Sequence, residues 1–482
     1  MIKLFLFLLL IPVLCFSDNI RGEWKGQGHC GDSIIQIEFT VMIQKDSIIG
    51  VFLRQPTIFT LADSSFNGTD VHLVSSKLQL KNWNADIIRR QANGENLSLY
   101  QEIKFDGTQT SNKNELSGTF TYLGKIYQAQ LFRGNQTAYR PQESLKPYPY
   151  SCEDVTFRNV PDSVILGATL TLPNKEGKFS AVIIQTGSAP INRDGESNYH
   201  KFTLLIADYL TRNGIAVLRY DSRGIGKSTG NFDKSTPADL AGDLIAGYQY
   251  LASRKEINGQ KIGIIGHSEG GMVAAIAASQ SKDFNFVVML AAPGMPLRDV
   301  FNIQRELNFK NGDIPEDQTD FYKKLDSEIE KLLEQNLNSS EIFNVLYKSK
   351  YPEFELISNI PDDDVKKRII FGETLGKLTS PHNLFNLKVN PSDYIEKLTC
   401  PVLSLNGSND MQVTAGFNQN AIRQALIKSG NKDFKIVELP GLNHSFQECQ
   451  TGSLKESLTL EQTFSPKALE IITDWIKAHV EN

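Results

Sequence analysis

The sequence predicts an α/β domain built on a mostly parallel sheet, interrupted by a helical insertion and preceded by a small all-β domain. Three observations carry this. From Ser151 onward, short continuous apolar runs such as Ala181–Ile184, Ile215–Tyr220 and Phe286–Leu290 alternate with helix-period stretches. That is the pattern of parallel strands covered on both faces. From about Leu297 to Asp393 the alternation stops and charged helical sequence replaces it. Between residues 18 and 140 apolar and polar side chains alternate with a period of two, without a convincing helical period.

A chain of 482 residues calls for two or three domains. Its formal charge of −5 provides no basic footprint, so nucleic acid is excluded as a partner. Met1–Ser17 reads as a secretory signal: Lys3 supplies the positive start, and Leu4–Phe16 is apolar but short for a bilayer. Small residues at Cys15 and Ser17 place cleavage before Asp18, giving an exported protein (periplasmic or secreted) without stable membrane insertion. A lipid anchor on Cys15 is the rival, and the bulky Leu14 counts against it. Cys30, Cys152, Cys400 and Cys449 then remain, too sparse for a disulfide framework. They allow one bridge or four thiols.

In the front region Ile35, Ile37, Phe39, Val41 and Ile43 fall on one face of a strand. Similar runs follow at Ile48–Leu53, Val71–Leu80, Leu97–Phe105 and Leu116–Leu123, with turns at Asn67-Gly68 and Asp106-Gly107. A small barrel or sandwich is expected over 18–140. It carries no catalytic constellation, and a spacer or homodimer surface is favoured over a ligand cavity. Residues 141–150, proline-rich and polar, read as the linker.

The domain over 151–482 opens with an antiparallel pair, Asp154–Phe157 and Val164–Leu172. Helices are expected at Tyr199–Arg212 and Pro237–Ser253, and a strand at Lys261–Gly266. The insertion, a cap over about 297–393, has its clearest helices at Phe321–Asn336 and Ser340–Lys348. The sheet resumes with Pro401–Leu405, helix Asn418–Lys428, strand Lys435–Leu439 and a last helix from Pro466 to about His479.

The chemistry centres on Gly266-His267-Ser268-Glu269-Gly270, a G-x-S-x-G turn between an apolar strand and a small-residue helix. Such a turn strains the serine backbone and needs glycine two residues to either side, which Gly266 and Gly270 supply. A serine hydroxyl also needs a base, and the base an orienting acid. Asp410 follows the strand ending at Leu405, and His444 follows the strand ending at Leu439. In a parallel sheet both reach the edge where Ser268 sits. His267 is the competing base and Asp393 the competing acid. For the oxyanion, the N–H of Glu269 and one from the loop at Gly187-Ser188 are the expected donors, with Ser188 preferred and Gly187 allowing close approach.

With these residues in place, the chain from about Ser151 resembles the α/β-hydrolase superfamily of serine hydrolases, and most closely its exported bacterial esterase branch with a helical cap. The motifs are Gly266-His267-Ser268-Glu269-Gly270-Gly271, the R-G-x-G-x-S loop Arg223-Gly224-Ile225-Gly226-Lys227-Ser228, and Gly187-Ser188 followed by Asn192-Arg193-Asp194-Gly195. Ala189 and Asn192 depart from the family's third motif. The resemblance implies an α/β-hydrolase fold, a triad of Ser268, Asp410 and His444, Arg223 bracing the region behind the nucleophile, no metal and no cofactor. It implies hydrolysis of a small acyl ester. The alternatives are an exported serine aminopeptidase and, in another class, a ligand-binding protein with an inert hydrolase-like domain.

Overall fold

The computed structural model describes, in the front region, residues 22–30, 33–44, 47–53, 58–59, 61–66, 70–75, 104–109, 115–122 and 125–133. Beyond them it describes 142, 144 and 147–481, except 198–199, 312–315, 358–363, 454–455 and 458–459. The signal Met1–Ser17, with Cys15, lies outside the described residues, as does most of the Leu97–Phe105 run. Contacts divide the chain into two units, Met1–Tyr139 with Pro361–Lys366, and Arg140–Ile360 with Lys367–Asn482.

The front unit holds nine antiparallel strands in the order β4-β3-β2-β1-β9-β8-β7-β6-β5. They run β1 (Gly22–Cys30), β2 (Ser33–Gln44), β3 (Ser47–Leu53), β4 (Ile58–Phe59), β5 (Leu61–Phe66), β6 (Asp70–Ser75), β7 (Lys104–Gln109), β8 (Glu115–Tyr122) and β9 (Lys125–Arg133). β4 and β5 occupy opposite ends of that order, yet one residue separates them in the chain. Two Cα steps span at most about 7 Å. The two edge strands are therefore brought together at that point of the sheet. Alternation places Leu116, Phe120, Tyr127, Ala129 and Leu131 inside, with Trp24 and Phe105, while Gln128 and Gln130 face out.

The second unit carries an eight-stranded sheet in the order β10-β11-β15-β12-β16-β17-β18-β19. β10 (Ser151–Asn159) and β11 (Val164–Leu172) are the expected antiparallel opening. β15 (Ala216–Tyr220), β12 (Phe179–Gln185), β16 (Ile257–His267), β17 (Val287–Leu290), β18 (Val402–Gly407) and β19 (Phe434–Leu439) are mutually parallel. Between β12 and β15 a two-stranded ribbon, β13 (Glu196–Ser197) with β14 (His200–Lys201), precedes the first helix. That helix, α1 (Phe202–Arg212), consequently starts three residues later than the apolar pattern suggests.

Side chains alternate across the sheet into two cores. Ala181, Ile183, Ile262 and Ile264 pack with α2 (Pro237–Ser253) and α3 (Glu269–Gln280). Val182, Ile184, Ile265 and Leu403 pack with α1 and the last helix, Pro466–Val480. α2 begins in a capping box, Thr236 with Asp239, and has Pro237 at its first position, so its start is written locally.

The insertion between β17 and β18 is helical: α4 (Leu297–Lys310), α5 (Glu316–Glu334), α6 (Ser339–Ile357), α7 (Asp364–Leu378), α8 (Pro381–Lys388) and the short α9 (Ser392–Ile395). Its own core has helical spacing. Phe321, Leu325, Ile329 and Leu333 pack with Ile342, Leu346, Phe371, Leu375 and Leu384. On its outer faces Glu328 and Glu330 pair with Lys350 and Arg298. α10 (Ala415–Lys428) covers the sheet after β18. Between the units, the described part of 141–150 lies on the α/β unit, where Tyr150 donates to Asp208 at 2.8 Å.

Candidate active site

The parallel register sets the site. Gln185 pairs with Gly266, His267 with Leu290, Leu290 with Leu405, and Gly407 with Leu439, so β12, β16, β17, β18 and β19 end together. Ser268, Asp410 and His444 leave from that single edge, where open α/β sheets bind ligands.

Ser268 has φ 58° and ψ −130°, a conformation that costs a non-glycine residue about 1–3 kcal/mol. Neighbouring backbone enforces it. A Cβ on Gly266 would stand 2.2 Å from the Gly270 carbonyl oxygen, and one on Gly270 2.5 Å from the carbonyl oxygens of Gln185 and Thr186. Only glycine allows the helix start to press against two strand ends. Across the turn, a Cβ on Gly187 would lie 3.5 Å from Ser268 Oγ, so the Gln185–Ser188 loop runs beside the hydroxyl. Ser188 is exposed. No side chain caps α3, and its positive end faces the elbow.

Asp410 is buried, and both its oxygens are used. Oδ1 accepts from the N–H groups of Gln412 and Val413, each at 2.8 Å, and Oδ2 faces His444 Nδ1 at 2.8 Å. The turn role and the partner role thus fall to separate oxygens of one carboxylate. His444 sits in a loop closed by Asn443, whose Oδ1 accepts from Ser445 and Gln447. Gly407 admits that loop, since a Cβ there would stand 2.1 Å from the Leu442 carbonyl oxygen. Among the described residues no hydrogen bond joins Ser268 Oγ to His444, and His444 Nε2 has no protein partner.

His267, the competing base, turns elsewhere. Its Nε2 meets the His444 carbonyl oxygen at 2.9 Å, and its ring packs against Phe202 and His444. Burial, with the neighbouring His444, pushes its pKa down to about 4, so it is a neutral donor that props the His444 backbone. Asp393, the competing acid, is on α9 and accepts from Asn390.

Arg223 is buried beside the start of α2. Its Nε and Nη2 each reach Asp243 at 2.7 Å, and Nη1 reaches Ser235 Oγ at 3.2 Å. The loop after β12 has its own fork: Arg193 Nε and Nη2 grip Asp221 at 3.1 and 2.7 Å. Asn192 caps that loop, its Oδ1 accepting from the N–H of Asp194 and of Glu196.

Two residues have no sequence signal. His382 and Asn386, both on α8, meet the Glu269 carboxylate at 2.9 and 2.6 Å. The sequence motif points only to the backbone N–H of Glu269. Its side chain is 5% exposed and belongs to a contact between the elbow and the cap.

A strained serine between a parallel strand and a helix, with a carboxylate–imidazole pair from two later strand ends, defines the α/β-hydrolase class of enzymes. Sequence comparison agrees. A family model described as "Serine aminopeptidase, S33" matches residues 195–311. Esterase EstD of Thermotoga maritima is 26% identical over 346 residues, covering 71% of this chain and 70% of its own. Among solved structures, a Pyrococcus furiosus esterase is similar with a TM-score of 0.44 and 18% identity, over 72% of this chain and 98% of that one.

Proposed function

We propose that the protein is a serine hydrolase that cleaves carboxylic esters through an acyl-enzyme. Ser268 Oγ attacks the acyl carbon as its proton passes to His444 Nε2. Asp410 holds the imidazole by Nδ1 and stabilises its cationic form. The oxyanion takes hydrogen bonds from the N–H of Glu269 and from Ser188 in the loop beside Gly187, each worth about 3 kcal/mol in the transition state. Collapse breaks the ester C–O bond, and the alcohol leaves with the proton from His444. Water, deprotonated by His444, then attacks the acyl carbon and releases the acid and Ser268. The observation that carries this reading is the buried Asp410–His444 contact of 2.8 Å at strand ends adjoining the strained Ser268. Contacts between a nucleophile and its base are often long before substrate binds.

Ester is the favoured substrate because an alcohol is an easier leaving group than an amine, and Glu269 beside the nucleophile adds no ammonium site. An aminopeptidase needs a carboxylate open to the substrate ammonium, and this one has both oxygens bound by protein. Ser268→Ala is expected to lower turnover of p-nitrophenyl acetate by about 10⁴-fold or more, with an unchanged circular dichroism spectrum. Wild-type activity in that variant removes the assignment. Faster cleavage of aminoacyl nitroanilides than of acyl esters would favour the peptidase. Export belongs to the same proposal, and N-terminal sequencing of the mature protein should begin at Asp18.

A further inference from the structure

We propose that His382 is held as an imidazolium and acts as a positioning residue, clamping the cap onto Glu269 so that the N–H following Ser268 stays aimed at the oxyanion. This rests on Ser268 being the nucleophile.

The protonation follows from the partners. His382 Nε2 faces Glu269 Oε1 at 2.9 Å, and Nδ1 faces the Ser235 carbonyl oxygen at 3.1 Å. With the Glu269 carboxylate ionised, both partners only accept, and a neutral imidazole carries a single N–H. One of the two contacts would set lone pair against lone pair unless the ring holds two protons. The Phe232 ring, 4.5 Å away between centroids, offers its π face to the cation.

The clamp closes on both carboxylate oxygens. Asn386, one turn along α8 from His382, donates Nδ2 to Glu269 Oε2 at 2.6 Å. Two side chains of one cap helix therefore grip two oxygens of one residue, and that residue's N–H is the proposed oxyanion donor. α8 is set by Ser380, whose hydroxyl accepts from Asn383 N–H, and by Pro381 at its first position. On the far side, Ser235 is braced by Arg223. His382 thus joins the cap, the elbow and the Arg223 loop.

The groups facing His382 are Glu269 on α3, the Ser235 carbonyl, Asp233 and Phe232 in the loop before α2, and Asn386 on its own helix. Burial opposes its charge, but the Glu269 carboxylate, the Ser235 carbonyl and Asp233 outweigh burial and raise the pKa above the ordinary 6.5. The sign follows: the clamp is complete below that ordinary value and is lost as pH rises through the raised one.

The test begins with unmodified protein labelled with ¹⁵N-histidine. The His382 ring, assigned by its loss in His382→Gln, should carry protons on both nitrogens at neutral pH and titrate above the ordinary range. Titration at or below that range overturns the proposal. His382→Gln retains one donor for Glu269 but cannot titrate. With p-nitrophenyl acetate its kcat should fall roughly tenfold with KM nearly constant, as expected for a misaimed donor, and the wild-type alkaline decline in kcat should vanish. An unchanged kcat, or a retained alkaline decline, also overturns it. Fluorophosphonate labelling separates the two readings: labelled wild-type Ser268 keeps the nucleophile assignment whatever the clamp does. A wild-type protein that does not label removes both.

Discussion

At the strand ends, Asp410 meets His444 Nδ1 at 2.8 Å; beneath the cap, Glu269 meets His382 Nε2 at 2.9 Å. Both pairs are buried, and each carboxylate has a second oxygen occupied by N–H donors. They differ at the far nitrogen of the ring. His444 Nε2 has no protein partner among the described residues, whereas His382 Nδ1 faces a carbonyl. An imidazole with one free nitrogen can gain and lose a proton during turnover. One with acceptors at both ends is held as a cation until the pH rises through its raised pKa. On the proposed mechanism the same two residue types serve proton transfer in one place and positioning in the other, and the second nitrogen's partner decides which.

The largest expected effect separates the pairs directly. Asp410→Asn should lower kcat/KM by about 10⁴, because the base loses its orienting charge and tautomer. Glu269→Gln should cost only about tenfold, since the backbone donor survives with a looser aim. Steady-state kinetics on one acyl ester measures both, and equal losses would erase the distinction.

A stability measurement comes next. Arg223→Ala leaves Asp243, whose side chain is 1% exposed, as a buried charge without its fork. A loss of about 3–5 kcal/mol in urea unfolding is expected. A much smaller loss would mean that the Arg223–Asp243 pair is dispensable.

The smallest effect is a pH slope. His267 has its pKa lowered to about 4 by burial and by His444. Its folded value lies below its unfolded one, so the stability present above about pH 6.5 is lost as pH falls toward 4, by up to about 1.4 kcal/mol per unit. His267→Gln keeps a donor for the His444 carbonyl and should flatten melting temperature against pH in that window. An unchanged slope assigns the loss to other groups.

What the sequence revealed divides along the same line. Ser268, Asp410 and His444 are legible because each sits in local grammar: a glycine-flanked turn, or a turn closing an apolar strand. Register then brings them to one edge with no further information. The Glu269 clamp is not legible, because its partners lie 113 and 117 residues away in the cap and no local pattern marks them. The same holds for Arg193 with Asp221, joined only by folding. In the front region, β1 escaped the period-two reading because Gly26 and Gly28 interrupt its apolar face. The strand order, which joins the two edge strands by one residue, is likewise absent from the period-two pattern. Side chains on the Ile35–Ile43 face lie outside the described ones.

The most direct test of the central claim is site mapping of a fluorophosphonate adduct by peptide mass spectrometry. One equivalent should be found on Ser268, and labelling should be strongly slowed in His444→Ala. No adduct, an adduct on a different residue, or undiminished labelling without the imidazole would contradict a serine activated by His444.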